Sequence, residues 1–84
     1  MVKVLYFARL REALGTASED LVLPPSVSTL EGLRAVLVSR GGTWSEELAA
    51  SRRVRVAINQ AMADEDSSIS DGDEVAFFPP VTGG

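Results

Sequence analysis

Apolar side chains alternate from the first residues of the chain: Val2, Val4 and Tyr6 share one parity, Leu5 and Phe7 the other. Period-two alternation predicts a strand over residues 2–9, and two largely apolar faces predict a central one, covered on at least one side. Residues 9–14 predict a short helical turn stopped by Gly15, and residues 18–23 a second strand, hairpin-paired with the first and ended by Pro24-Pro25. Ser28-Thr29-Leu30-Glu31 has capping-box spacing, in which the Ser28 hydroxyl accepts from the Glu31 N–H while Glu31 reaches back. Leu30, Leu33, Val36 and Leu37 then recur at helical spacing until Gly41-Gly42 stops the helix. Thr43-Trp44-Ser45-Glu46 repeats the S/T-x-x-E pattern and predicts a short helix as far as Ala50. Val54, Val56 and Ile58 alternate with Arg55 and Ala57 as a third strand, and Asn59-Gln60 turns into a short strand over residues 61–63. Asp71-Gly72-Asp73 signals a tight turn before a last strand over residues 75–78.

One amphipathic helix must cover something, and a sheet face is its natural partner. A hairpin followed by a helix crossing a mixed sheet is the β-grasp arrangement, the architecture of ubiquitin. The predicted class is therefore α+β: a ubiquitin-like β-grasp with one main helix packed across a mixed sheet, with a ferredoxin-like fold as the alternative that element order leaves open. Residues 1–80 form the domain and residues 81–84 a flexible tail.

Composition narrows the chemistry. Eighty-four residues fit one domain, and 45% apolar residues argue against wholesale disorder. There is no Cys, which excludes disulfides, thiolate metal sites and cysteine nucleophiles in this chain, and no His, the commonest general base. No apolar run approaches the length of a membrane span and no secretory leader pattern opens the chain, so a cytoplasmic protein without membrane partners is expected. The net charge of −4 is uneven, +1 over residues 1–42 and −5 over residues 43–84. An acidic half argues against nucleic acid, and fits either steering towards a basic partner or simple solubility.

The acidic groups Asp64, Glu65, Asp66, Asp71, Asp73 and Glu74 do not form a calcium loop. Counting from Asp64, the position that needs Gly is Ile69 and the one that needs Glu is Val75. They read as solvated turn carboxylates, and no metal is expected. Arg52-Arg53-Val54-Arg55 reads as a solvated strand edge, where charge discourages unwanted pairing, or as a surface for an anion or acidic partner. Met62, Phe78 and Phe7 are either core residues or one exposed apolar interface.

The end of the chain has no packing rationale. Phe77-Phe78 runs into Pro79-Pro80, which hold the backbone extended, and then into Val81-Thr82-Gly83-Gly84. Six residues extended from Pro79 reach roughly 20 Å, enough to enter a neighbouring active site. Gly83 and Gly84 allow close backbone approach where a Cβ would clash. A carboxylate becomes a useful electrophile only once an oxygen is made a leaving group, as adenylation by ATP does. Without Cys, such a tail can carry sulfur covalently only as a C-terminal thiocarboxylate. The tail beyond Val81 is expected to be disordered in the free protein.

These residues carry a resemblance. Residues 2–12 (VKVLYFARLRE), residues 56–60 (VAINQ) and above all residues 71–84 (DGDEVAFFPPVTGG) are similar to the small subunits of molybdopterin synthase, ubiquitin-like sulfur carriers of the MoaD/ThiS family. The resemblance implies a sulfur carrier of molybdenum cofactor biosynthesis, non-catalytic alone, with no bound cofactor. An adenylating activating enzyme would use ATP to activate Gly84, and a sulfur donor would convert it to the thiocarboxylate. Pro80, Val81, Thr82 and Gly83 would insert into the large subunit of the synthase, in a heterotetramer, where two loaded carriers serve each dithiolene. Phe7, Arg11, Met62 and Phe78 would form the partner interface. Three rivals stand beside this: the sulfur carrier of thiamine thiazole synthesis, a ubiquitin-like protein modifier, and a plain β-grasp binding module whose tail is incidental. The thiamine-pathway chains generally lack the segment spanning residues 41–52, and chain-building modification is disfavoured by a single lysine, Lys3.

Overall fold

The computed structural model describes residues 1–49 and 54–79. The opening alternation becomes β1 (Val2–Tyr6), with Val2, Val4 and Tyr6 buried and Lys3 exposed. The chain then turns into α1 (Ala8–Leu14), closed by Gly15 at φ 74°, whose N–H donates to the Arg11 carbonyl. β2 (Ser18–Leu21) returns antiparallel to β1, as the hairpin pattern predicted. It stops two residues before the expected end; Val22 is exposed. Next come α2 (Leu30–Val38) and α3 (Gly42–Leu48), then β3 (Arg55–Ile58), β4 (Ala61–Met62) and β5 (Glu74–Phe78).

The five strands form one sheet in the order β2-β1-β5-β3-β4. β1 and β5 run parallel and the other pairs antiparallel. A parallel pair needs a long crossover, and everything from α1 to β4 supplies it. The helices cover one face: Leu30, Leu33 and Leu37 of α2 and Leu48 of α3 join Val2, Val4, Tyr6, Val56, Val75 and Phe77 in a single core. Burying a side chain of this size contributes about 1.5–3 kcal/mol, so the α2 stripe is what fixes the helix to the sheet. This is the α+β, ubiquitin-like β-grasp that the element order predicted.

Asn59 and Gln60 both have positive φ, 50° and 70°, the geometry of a two-residue hairpin turn between β3 and β4. Asn59 also ties that turn to the start of β5. Its N–H donates to the Glu74 carbonyl at 2.8 Å, its Oδ1 accepts from the Glu74 N–H at 3.0 Å, and its Nδ2 donates to Asp73 at 3.1 Å.

Both predicted capping boxes are corrected. The N-cap of α2 is Thr29, whose Oγ1 accepts from the Gly32 N–H at 3.3 Å. The Glu31 N–H assigned to Ser28 donates instead to the Glu65 carbonyl at 3.1 Å, and the Leu30 N–H donates to Ser67. The loop before β5 therefore straps the start of α2 and takes the donors that a capping box would have used. In α3 the helix begins at Gly42, one residue before Thr43, after Gly41 at φ 77°. It has no side-chain cap.

Thr29→Ala is expected to lower stability by about 1 kcal/mol, and Ser28→Ala by much less. Chemical denaturation of both variants checks this; a larger loss at Ser28 would restore the original capping box.

Candidate functional site

Because helices cover only the face carrying Val4, Tyr6, Val56, Val75 and Phe77, the alternate residues form an outer sheet face. The register places Ser18, Leu5, Ala76, Ala57 and Met62 in one row across all five strands. In the next row Arg55 lies opposite Phe78, and Phe7 extends the outward parity of β1. Phe7 is 45% and Met62 58% exposed, while Phe78 is half-buried. The open alternative is thereby resolved: these three are not core residues but apolar side chains on one uncovered face. Arg11 lies one helical turn after Phe7 and is exposed, so it borders the same patch.

Local backbone geometry keeps Phe7 outward. Phe7 is still extended (φ −118°, ψ 155°), and the next residue, Ala8, has φ 51°. That left-handed conformation costs an alanine about 1–2 kcal/mol. It lets the chain enter α1 abruptly, so that Leu10 is buried while Phe7 stays exposed. Sequence reasoning missed this corner, because Ala carries no signal for a positive φ.

β5 lies between β1 and β3, so the C-terminal strand ends in the middle of the sheet rather than at its margin. The Phe7 N–H donates to the Phe77 carbonyl at 3.1 Å, joining the two chain segments where the tail departs. Pro79 is the last described residue of this segment. Pro80, Val81, Thr82, Gly83 and Gly84 lie outside the described residues, as do the expected tail disorder and Arg52 and Arg53.

The inner side of this corner is held by a polar and aromatic cluster that the strand pattern did not reveal. Tyr6 stacks on Phe77 at 6.0 Å between ring centroids and meets Trp44 of α3 edge-on at 5.4 Å. Its hydroxyl donates to Glu19 of β2 at 2.8 Å. Arg40 grips the same carboxylate with both terminal nitrogens, at 2.9 and 2.7 Å, and lies 4.4 Å from the centre of the Trp44 ring. Burial, then the bond to Glu19, pushes the Tyr6 phenol well above its usual range. The Arg40 bond holds Glu19 below the ordinary carboxylate range, and Glu19 in turn raises Arg40. One sequence signal was available: Glu19 shares inward parity with Leu21, and a carboxylate there needs a partner.

Two of the six carboxylates expected in solvated turns depart from that reading: Glu65 is half-buried in an ion pair with Arg34, and Glu74 opens β5. Asp64 accepts from the Asp66 N–H and the Ser67 hydroxyl, and Asp73 is held below the usual aspartate range by the Ser70 N–H and then by Asn59. Among the described residues no group of three or more His, Cys, Asp or Glu is placed to hold a metal. A depression of about 280 Å³ is lined by Leu30, Arg34, Val54, Met62, Asp64 and Glu65. Arg34 is neutralised there by an ion pair with Glu65, and Arg55 lines the same depression with no ion pair among the described residues. At Arg55, β3 is paired with β5 alone, since β4 faces only Ala57 and Ile58, so Arg55 keeps one open strand side. No helix among the described residues is long and apolar enough to cross a membrane.

Comparison with known proteins matches residues 4–84 to the ThiS family. The chain is 40% identical over 84 residues to a molybdopterin synthase sulfur carrier subunit of Escherichia coli, covering 100% of both chains. A putative molybdopterin converting factor, subunit 1, from Pyrococcus furiosus superposes with a TM-score of 0.78 at 33% identity, covering 95% of this chain and 97% of that one. SAMP1 from Haloferax volcanii superposes with a TM-score of 0.76 at 26% identity, covering 99% and 98%.

The Glu19 cluster makes a pH prediction. A carboxylate held low in the fold adds stability above its unfolded range and loses it as pH falls through the folded value. Thermal melts across the acidic range should therefore show a steeper loss for the wild type than for Glu19→Gln. Parallel curves would mean that Glu19 is not held low by Arg40.

Proposed function

The chain belongs to the ThiS family, and from that membership we propose that it is the sulfur carrier of a molybdopterin synthase, acting through its C-terminal carboxylate in the cytoplasm. The observation that carries this reading is the end-to-end match to a relative named molybdopterin synthase sulfur carrier subunit. The geometry agrees with it: a central strand, β5, leads to the tail beside an uncovered apolar face.

The mechanism starts from an unreactive group. The Gly84 carboxylate attacks ATP in a partner activating enzyme, releasing pyrophosphate and leaving an acyl-adenylate. A sulfur donor displaces AMP and leaves the thiocarboxylate, with one oxygen replaced by sulfur. Phe7, Arg11, Met62 and Phe78 dock on the large synthase subunit, while Pro80, Val81, Thr82 and Gly83 carry the sulfur into its active site. There the thiocarboxylate sulfur attacks a carbon of the pterin precursor and displaces an oxygen substituent, which leaves with the bonding pair. Hydrolysis of the resulting thioester leaves the sulfur on the pterin and returns the carboxylate. Two loaded carriers supply the two sulfurs of a dithiolene, which suits a heterotetramer of two small and two large subunits. The chain brings no catalytic side chain of its own; its contribution is a rigid docking face and a deliverable terminus.

The likeness to SAMP1 supports a second reading, a protein modifier joined to lysines through the same activated terminus. Intact mass spectrometry separates the two after incubation with ATP, an activating enzyme and a sulfur donor. One oxygen exchanged for one sulfur on the C-terminal peptide is expected, and removal of Gly84 should abolish both this product and pterin sulfuration. An isopeptide bond to lysine as the sole product would favour the modifier; wild-type function without Gly84 would sink both.

A further inference from the structure

Resting on the docking reading above, we infer that Arg55 selects the partner: the surface that covers the outer sheet face presents negative charge opposite this guanidinium. Among the described arginines, Arg9, Arg34 and Arg40 each have a carboxylate partner, Glu47, Glu65 and Glu19 respectively. Arg11 and Arg55 have no ion pair among the described residues; Arg11 borders the patch from α1, whereas Arg55 is exposed within the sheet face itself, beside Phe78 and Met62. Lys3, also on the outer face, is flanked in register by Asp20 and Glu74. Arg55 meets Phe78 on the β5 side, and of the carboxylates that line its depression Glu65 is paired with Arg34. Towards β4, the carboxylate after Ala63 is Asp64, which is committed to its own turn through Asp66 and Ser67.

A lone cation within an apolar contact area is a demand on whatever covers it. Docking strips water from the guanidinium, and burying it without a counter-charge is heavily penalised. Arginine suits such a role, because its planar fork can hold a carboxylate at both nitrogens. The chain as a whole carries a net charge of −4, so its distant field attracts basic surfaces. The local demand of Arg55 has the opposite sign. A uniformly basic protein would thus be drawn in but could not seat, whereas a partner with acidic groups facing Arg55 could, and that contrast gives specificity.

The test measures affinity of the full-length chain for the large molybdopterin synthase subunit of the same organism, at low and high salt. Arg55→Glu should weaken binding at low salt by about tenfold or more, and the gap to wild type should narrow at high salt as screening sets in. Arg55→Lys should retain most of the affinity. Phe78→Ala should weaken binding by a factor that changes little with salt. All variants are compared by thermal melt, and Arg55, being exposed, should leave the fold intact. Equal or tighter binding of Arg55→Glu would overturn the inference while leaving the docking reading standing. Absence of binding by the wild type would remove both.

Discussion

The parallel pairing of β1 with β5 is the constraint on which the rest of the structure depends. It brings the first and last strands of the chain side by side at the centre of the sheet and points their ends the same way. Phe7 and Phe78 are therefore neighbours across strand ends although some seventy residues of sequence separate them. A terminus on a margin strand could fray one residue at a time. Here the last strand is bonded on both sides, to β1 as far as Phe77 and to β3 as far as Phe78. Opening it means breaking the core, because Val75 and Phe77 are fully buried.

The same pairing explains why the helix side of the corner is so heavily tied. Tyr6 and Phe77 stack across the inner face where β1 and β5 end, and Glu19, Arg40 and Trp44 close around the Tyr6 ring and hydroxyl. These residues come from β2, the residues just after α2, and α3. Three elements thus brace the two strand ends from behind, and the outer residues Phe7 and Phe78 are held by backbone whose inner neighbours cannot move. The face can remain apolar and exposed because its shape is set by the side it does not show.

How much of this was legible in the sequence follows from what is local. Alternation found β1, β3 and β5, and the leucine spacing found α2, because each pattern is a property of consecutive residues. Turn chemistry found the Asn59-Gln60 hairpin for the same reason. Strand order is not local, and nothing in residues 74–78 states that their neighbours are β1 and β3. Phe7, Met62 and Phe78 could be named as a possible patch, but only register placed them on one face. The capping box at Ser28 failed for a related reason: its donors were taken by a loop more than thirty residues away in sequence. The left-handed Ala8 is the hardest case, since the corner is imposed by packing against a residue's own preference.

A protein of this size has room for one core and one rigid surface. Among its described residues that core occupies one sheet face and leaves the other without a cover. Side-chain chemistry on a protein without Cys or His would need carboxylates or lysine placed together in a cleft. Among the described residues Glu19, Glu47 and Glu65 are paired with arginines, and the single lysine, Lys3, is exposed on β1. What the described residues offer is geometry: an uncovered face with two arginines, Arg11 and Arg55, outside any ion pair, and a last strand that ends in the middle of the sheet. Stability and the position of the last strand depend on the same two strands, since loosening β1 from β5 would cost the fold and displace the end of β5 together.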